Sequence, residues 1–201
     1  MGFGGCLLGG GARVFGGGRG SMIHLLKPIS KVGIPEALAK VELYRYLNEP
    51  EEAESICRDI LAVDPEHQFA RRMLGLAITD QFIGATTDRY TEAHSIFQTL
   101  RDPYERFYYT GLLFERRAKA QLLVGYAPHI LLPLVQEAMR CFAEAEKIRP
   151  EGNDDSILRW NRCVRLIESR PDFHFERAAA SFETEDLPQV GRAIRRPDGY
   201  H

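Results

Sequence analysis

The chain has 201 residues, of which 44% are hydrophobic and 27% are charged, and its formal net charge is -2 at pH 7. This balance is that of an ordinary globular domain, and the length is sufficient to bury a core. Because the chain has no net positive charge, it offers no overall attraction to a phosphate backbone or an anionic membrane surface. We therefore expect neither nucleic acid nor a membrane as its partner.

The cysteines and histidines do not indicate chemistry. Cys6, Cys57, Cys141 and Cys163 are far apart and lack the paired spacing of a zinc site. We expect reduced thiols, three of them buried in helices, in a cytoplasmic protein. The six histidines are scattered, and none falls in a nucleophile, metal or phosphate-binding motif. The sequence therefore predicts no enzyme activity, no metal and no cofactor.

The two ends of the chain differ in composition from its middle. Residues 1–21 contain ten glycines, and we expect a disordered or vector-derived leader before a natural start at Met22. Residues 171–201 contain prolines, charges and few apolar residues, which indicates a mostly flexible tail. The tail either carries a short recognition peptide or is a solvated extension without a role.

Residues 22–170 are predicted to form one helical domain, because apolar residues recur three and four apart between breaks at Pro or Gly. No strand pattern competes. Short turns between helices favour antiparallel neighbours. Seven helices are expected over residues 34–47, 50–63, 69–82, 90–100, 104–124, 130–148 and 155–168.

Three of the helical hairpins share a pattern of small and aromatic residues. Ala53 precedes Pro65 by the same twelve residues that separate Ala138 from Pro150. Small residues let two helix backbones approach, and aromatic residues fill the space between neighbouring hairpins. The small positions are Ala53, Gly75, Ala93, Gly111 and Ala138, and the aromatic positions are Tyr44, Phe97, Phe114 and Phe142.

This pattern resembles that of the tetratricopeptide-repeat family, whose unit is a helical hairpin with small residues at the helix contact and a proline near its end. The resemblance covers about two-thirds of the chain and implies an all-α fold in which antiparallel hairpins stack as a short right-handed α-solenoid. Three divergent hairpins are expected, with residues 155–168 as the capping helix. The spacings Ala53 to Ala93 and Ala93 to Ala138 are 40 and 45 residues, longer than the family's ~34, so the turns inside hairpins two and three are lengthened.

In that family the groove is lined chiefly by the first helix of each hairpin, and one subgroup uses Lys, Asn and Arg there to hold a chaperone's C-terminal carboxylate. The asparagines and lysines of that clamp are missing here, so we do not expect a chaperone-tail clamp. Arg72 and Tyr108 are the expected anchors, because Arg and Tyr are favoured at binding hot spots. The resemblance places ten residues on the groove: Leu38, Glu42, Arg45, Phe69, Arg72, Leu76, Thr79, Tyr108, Leu112 and Glu115. The alternative is that these are ordinary solvated or packed helix residues.

The capping helix offers a second candidate surface, made by Arg159, Arg162 and Arg165 with Leu158 and Leu166 between them. Leucines among arginines suit an acidic amphipathic segment. The alternative is a solvated basic face whose leucines are covered by Phe173 and Phe175. The opposite, inner face is expected to carry Ile157, Trp160, Val164 and Ile167.

Two functions follow from these expectations. The first is a non-catalytic scaffold or adaptor that binds a peptide or protein segment in the groove. The second is a structural helical subunit of a homo- or hetero-oligomeric assembly, which would bury an apolar end formed by Leu123, Ile130, Leu131 and Leu134. Self-association belongs to the second function.

Overall fold

A computed structural model describes residues 24–82 and 87–174, and within these ranges the chain is all helical, with no strand. The all-α prediction is confirmed, and each helix begins and ends within about three residues of its expected limits. The leader and most of the tail lie outside the described residues. The helices are α1 (Ile34–Tyr46), α2 (Pro50–Val63), α3 (Gln68–Asp80), α4 (Thr87–Gln98), α5 (Pro103–Leu123), α6 (Pro128–Lys147) and α7 (Asp155–Glu168), with 3-10 turns at Lys31–Gly33 and Pro171–His174.

Local sequence explains where these helices begin. Proline occupies the first turn of α1, α2, α5 and α6, where its missing N–H costs no helical hydrogen bond. The Asp102 carboxylate accepts a hydrogen bond from the Tyr104 backbone N–H at 2.9 Å and so caps α5. The His67 ring does the same for Ala70 at 3.2 Å in α3. Asn48, at φ 60°, makes the left-handed turn that ends α1.

Each helix packs against the helices before and after it in the chain, and further contacts join α1 to α3, α3 to α5 and α5 to α7. The odd-numbered helices are therefore neighbours along one side of the domain. Two hydrophobic clusters form the core, one across α1 to α5 and the other between α5, α6 and α7.

The expected positions of the small residues are confirmed inside these clusters. Ala53, Ala93 and Ala138 have no exposed surface, and Phe97 and Phe142 are fully buried. The cysteines behave as small apolar residues, because Cys57, Cys141 and Cys163 are free and buried, as expected. Cys6 lies outside the described residues.

Leu166 of α7 is buried, as the alternative expectation of a leucine covered by the tail had it. The Pro171–His174 turn folds back and places the buried ring of Phe173 in the same cluster. Leu158 remains exposed. Phe175, the second residue expected to cover these leucines, lies outside the described residues.

Candidate functional site

A cleft of about 510 Å³ opens between α1, α3 and α5. Helix α3 supplies most of its floor, because Phe69, Met73 and Leu76 recur on one face at spacings of three and four. The cleft combines an apolar floor with charged walls. Its lining residues are Glu42, Arg45 and Tyr46 of α1, Phe69, Arg72, Met73 and Leu76 of α3, and Tyr109 of α5.

Arg72 is a lining residue of this cleft that makes both polar and aromatic contacts. Its guanidinium carbon lies 4.6 Å from the centre of the Phe69 ring and 5.9 Å from that of Tyr109, both within cation–π range. Its Nη1 donates to the Glu105 carboxylate of α5, whereas its Nε is buried and has no hydrogen-bond partner. The aromatic faces and Glu105 together hold the guanidinium in a fixed orientation.

The hydroxyl of Tyr109 belongs to the same environment. Burial raises the pKa of Tyr109 to about 12, although the nearby Arg72 acts to lower it. The phenol is therefore neutral at physiological pH and is a hydrogen-bonding group rather than a base.

Beyond Arg72, an ion-pair chain crosses three helices. Arg45 Nε of α1 donates to Asp80 Oδ2 of α3 at 2.8 Å, and Arg116 of α5 donates to Asp80 Oδ1. Arg116 also donates to the Thr79 hydroxyl at 2.6 Å. Burial lowers the pKa of Arg116, and Asp80 opposes this effect. The chain ties together the three helices that form the cleft.

Five of the ten expected groove residues line the cleft: Glu42, Arg45, Phe69, Arg72 and Leu76. The other five expected groove residues do not line this cleft. Leu38 packs against the first core cluster, and Leu112 and Thr79 are buried. Tyr108 packs against Phe142 and stacks on Tyr104 in the second cluster, and Glu115 is only 1% exposed.

For Tyr108 and Glu115 the physical reason is α7, which lies against α5 on the side that carries them. Arg159 reaches from α7 to within 3.5 Å of Glu115 Oε2, and Lys119 donates to Glu115 Oε1. Arg159 is thus a half-buried side chain that faces a buried carboxylate. Arg162 and Arg165 are exposed, as expected.

Sequence reasoning missed Tyr46, Met73 and Tyr109. Tyr46 and Met73 follow the expected residues Glu42 and Phe69 by four positions, so helical periodicity would have found them. Tyr109 replaces the expected Tyr108 because one residue turns the side chain by about 100° around the helix. No local signal separates these two adjacent tyrosines.

A second cleft of about 360 Å³ lies between α4, α5 and α6 and contains His94 and Cys141. His94 stacks on Tyr90, with ring centres 6.1 Å apart. Burial raises the pKa of the Cys141 thiol to about 11, which makes it a poor nucleophile. Within residues 24–82 and 87–174, no group of three His, Cys, Asp or Glu side chains is placed to hold a metal ion.

No family model, curated protein or solved structure matches this chain. None of the helices in the described part of the chain combines the length and the apolar character needed to cross a membrane.

Proposed function

We propose that this chain is a non-catalytic adaptor of the tetratricopeptide-repeat kind, a short right-handed stack of helical hairpins that binds an extended peptide segment in the cytoplasm. The neighbouring positions of α1, α3, α5 and α7 support the stacking. Buried alanines, together with glycines at which an added Cβ would meet a phenylalanine ring, support the repeat.

The observation that carries the proposal is that Arg72 lines the α1–α3–α5 cleft within cation–π range of two aromatic rings, Phe69 and Tyr109. Arg and aromatic side chains are the residues most often found at binding hot spots. The floor of Phe69, Met73 and Leu76 accepts an apolar side chain of the peptide, while Arg72 binds a backbone carbonyl or a carboxylate beside it. Methionine in the floor adapts to side chains of different shape.

The test is selection of a random peptide library on the immobilised full chain, followed by fluorescence anisotropy with the selected peptides. Arg72→Leu and Glu42→Arg change the cleft, and Arg170→Leu, which alters an exposed arginine just after α7, is the control. We expect both cleft variants to weaken binding at least about tenfold and the control to change it less than about twofold. Equal affinity of all three variants, with unchanged helical circular dichroism, would reject the cleft as the binding site.

A second candidate function, a subunit of a larger assembly, is favoured by a separate surface. Four exposed apolar side chains lie where α5 passes into α6, and we name this surface the apolar tip. Its members are Leu123, Val124, Tyr126 and Ile130. Leu131 and Leu134, which were expected with them, face inward instead, Leu131 being 2% exposed. Leu123→Lys tests this function, because loss of a co-purifying subunit without loss of peptide binding would favour assembly.

A further inference from the structure

The outer face of α1 carries exposed apolar side chains that no other element of residues 24–82 and 87–174 covers. Six of the thirteen exposed large hydrophobic side chains in the described part of the chain lie between residues 25 and 47, so exposed apolar surface is concentrated at this end. Leu43 and Leu47 are each 52% exposed, and Tyr46 is 88% exposed. An apolar patch of this kind marks an interaction surface.

The two sides of α1 explain why this face is exposed. Ile34 and Val41 are buried, and Leu38 and Tyr44 pack beside them against α2 and α3. The other side carries Ala39, Leu43 and Leu47 as one row at intervals of four residues, bordered by Tyr46. A helix that is apolar on both sides is normally covered on both sides.

We propose that a second copy of this chain covers the outer face of α1, forming a two-fold symmetric dimer in which the two α1 helices pack antiparallel and cross at Leu43. This proposal does not depend on peptide binding in the cleft.

The four-residue spacing of the apolar side chains on α1 supports a second copy of the chain as the partner. A row of residues four apart packs well between the same rows of another helix, and in an isologous contact both rows come from the same surface. Ala39 and Leu47 each lie four residues, about 6 Å, from Leu43 along the axis, so an antiparallel pair brings Ala39 of one copy level with Leu47 of the other. Small side chains thus meet large ones on both sides of the crossing point.

The charges agree with a symmetric contact. Glu36 and Lys40, which lie beside the row of Ala39, Leu43 and Leu47, are already joined by an ion pair of 2.6 Å, so these two residues bring no unpaired charge to the contact. The long alkyl chain of Lys40 lies toward the C-terminal half of the second copy, where it covers apolar surface.

The opposite end of the helix order argues against head-to-tail stacking. The outward side of α7 carries Arg162, Arg165 and Glu168, all exposed. An apolar row set against these charges would bury them without partners. Two copies of α1 therefore fit one another better than α1 fits α7.

The first test is sedimentation velocity of the full chain over a range of concentrations. We expect the mass to rise from 22.8 kDa toward twice that value as the concentration increases to about 100 μM. Leu43→Glu should weaken association at least about tenfold, because it places two carboxylates at the crossing point. Leu158→Glu, at an exposed leucine of α7, is the matched control and should leave association unchanged.

A cross-linking test locates the contact. In a Cys6→Ser background, Leu43→Cys should form a disulfide-linked dimer under mild oxidation, since two-fold symmetry brings residue 43 of both copies to the crossing point, within reach of a disulfide. Leu158→Cys and Leu123→Cys should not. The proposal is overturned if the wild-type chain remains a monomer at every concentration, or if cysteines at positions 158 or 123 cross-link as readily as the one at 43. Leu43 does not line the cleft, so failure here leaves the peptide-binding proposal intact.

Discussion

The Phe97 ring lies directly against the backbone of Gly75, in the space that a side chain at position 75 would occupy. An added Cβ would come within 2.9 Å of three atoms of this ring. Gly111 and Phe142 have the same relationship. A Cβ added at Gly111 would lie 2.7 and 2.8 Å from two atoms of the Phe142 ring and 3.1 Å from the Ala138 carbonyl oxygen. In each case a glycine on one helix of a hairpin receives the phenylalanine of the other, so the residue pattern recognised in the sequence has a steric cause.

Gly75→Ala tests this steric contact, because the sign of its effect on the free energy of unfolding depends on whether the Phe97 ring fills the space. In an exposed helix the substitution stabilises by up to about 1 kcal/mol, but here we expect a loss of about 1–3 kcal/mol from overpacking. Urea unfolding followed by circular dichroism measures the difference. Gly75→Ala combined with Phe97→Leu should recover part of the loss, because the shorter side chain leaves room for the new methyl group. A stabilised Gly75→Ala protein would mean that the ring is not in firm contact.

A polar network around Glu54 joins α2, α3 and α4. Its carboxylate accepts hydrogen bonds from Arg58 and Gln81, both at 2.6 Å, and from Arg89. Arg58 Nη2 also forms an ion pair with Glu92 Oε1 at 2.6 Å. Burial acts to raise the pKa of Glu54, but Arg89, Arg58 and Gln81 outweigh it and lower the pKa from 4.5 to about 2.

Glu54→Gln should therefore reduce stability at neutral pH by about 1–2 kcal/mol, allowing for solvent screening of the arginines. Because the folded-state pKa is depressed, this contribution is complete above about pH 4.5 and disappears as the pH falls toward 2. Urea unfolding at a series of pH values should show wild type and variant converging below pH 4.5. Glu146→Gln, at an exposed position of α6, is the control. A difference that stays constant down to pH 3 would contradict the assignment.

Arg159 and Arg162 lie one helical turn apart on α7 but differ in their surroundings. Arg159 faces the buried Glu115 carboxylate, whereas Arg162 faces solvent. Arg159→Met should cost about 1–3 kcal/mol, because it leaves a buried carboxylate oxygen without its nearest cation. Arg162→Met should stay within about 0.5 kcal/mol of wild type. Chemical unfolding compares the two, and similar losses would show that Glu115 does not depend on Arg159.

The reactivity of the buried thiols reports local unfolding of the helices that carry them. Burial raises the pKa of Cys57 and Cys163 to about 12 and that of Cys141 to about 11. A Cys6→Ser protein should therefore react very slowly with a thiol reagent at pH 8, and three thiols should react at once in denaturant. Rapid labelling of one thiol in the native protein would identify a region that opens locally.

Helix number and helix limits could be predicted from local patterns, because proline, capping residues and apolar periodicity act over a few residues. The close helix contacts of Ala53, Ala93 and Ala138 could also be predicted, since a small residue in a repeated position marks a close approach of two helices. Which of Tyr108 and Tyr109 lines the cleft could not be predicted. Their difference depends on where α7 and α3 lie around α5, and both helices come from distant parts of the chain.

By itself, then, the sequence determined an all-helical chain with its hairpins, its small-to-aromatic contacts and five of the eight cleft residues. Only the tertiary structure decided which charged residues are exposed to solvent and which are buried or paired. Glu115 looks like a surface residue in isolation, but it is buried and faces Arg159, which lies 44 positions away along the chain. Arg45, Asp80 and Arg116 likewise become one chain of ion pairs only when three helices lie side by side. Burial is a property of the neighbours a residue acquires on folding, and those neighbours are not written in its local sequence.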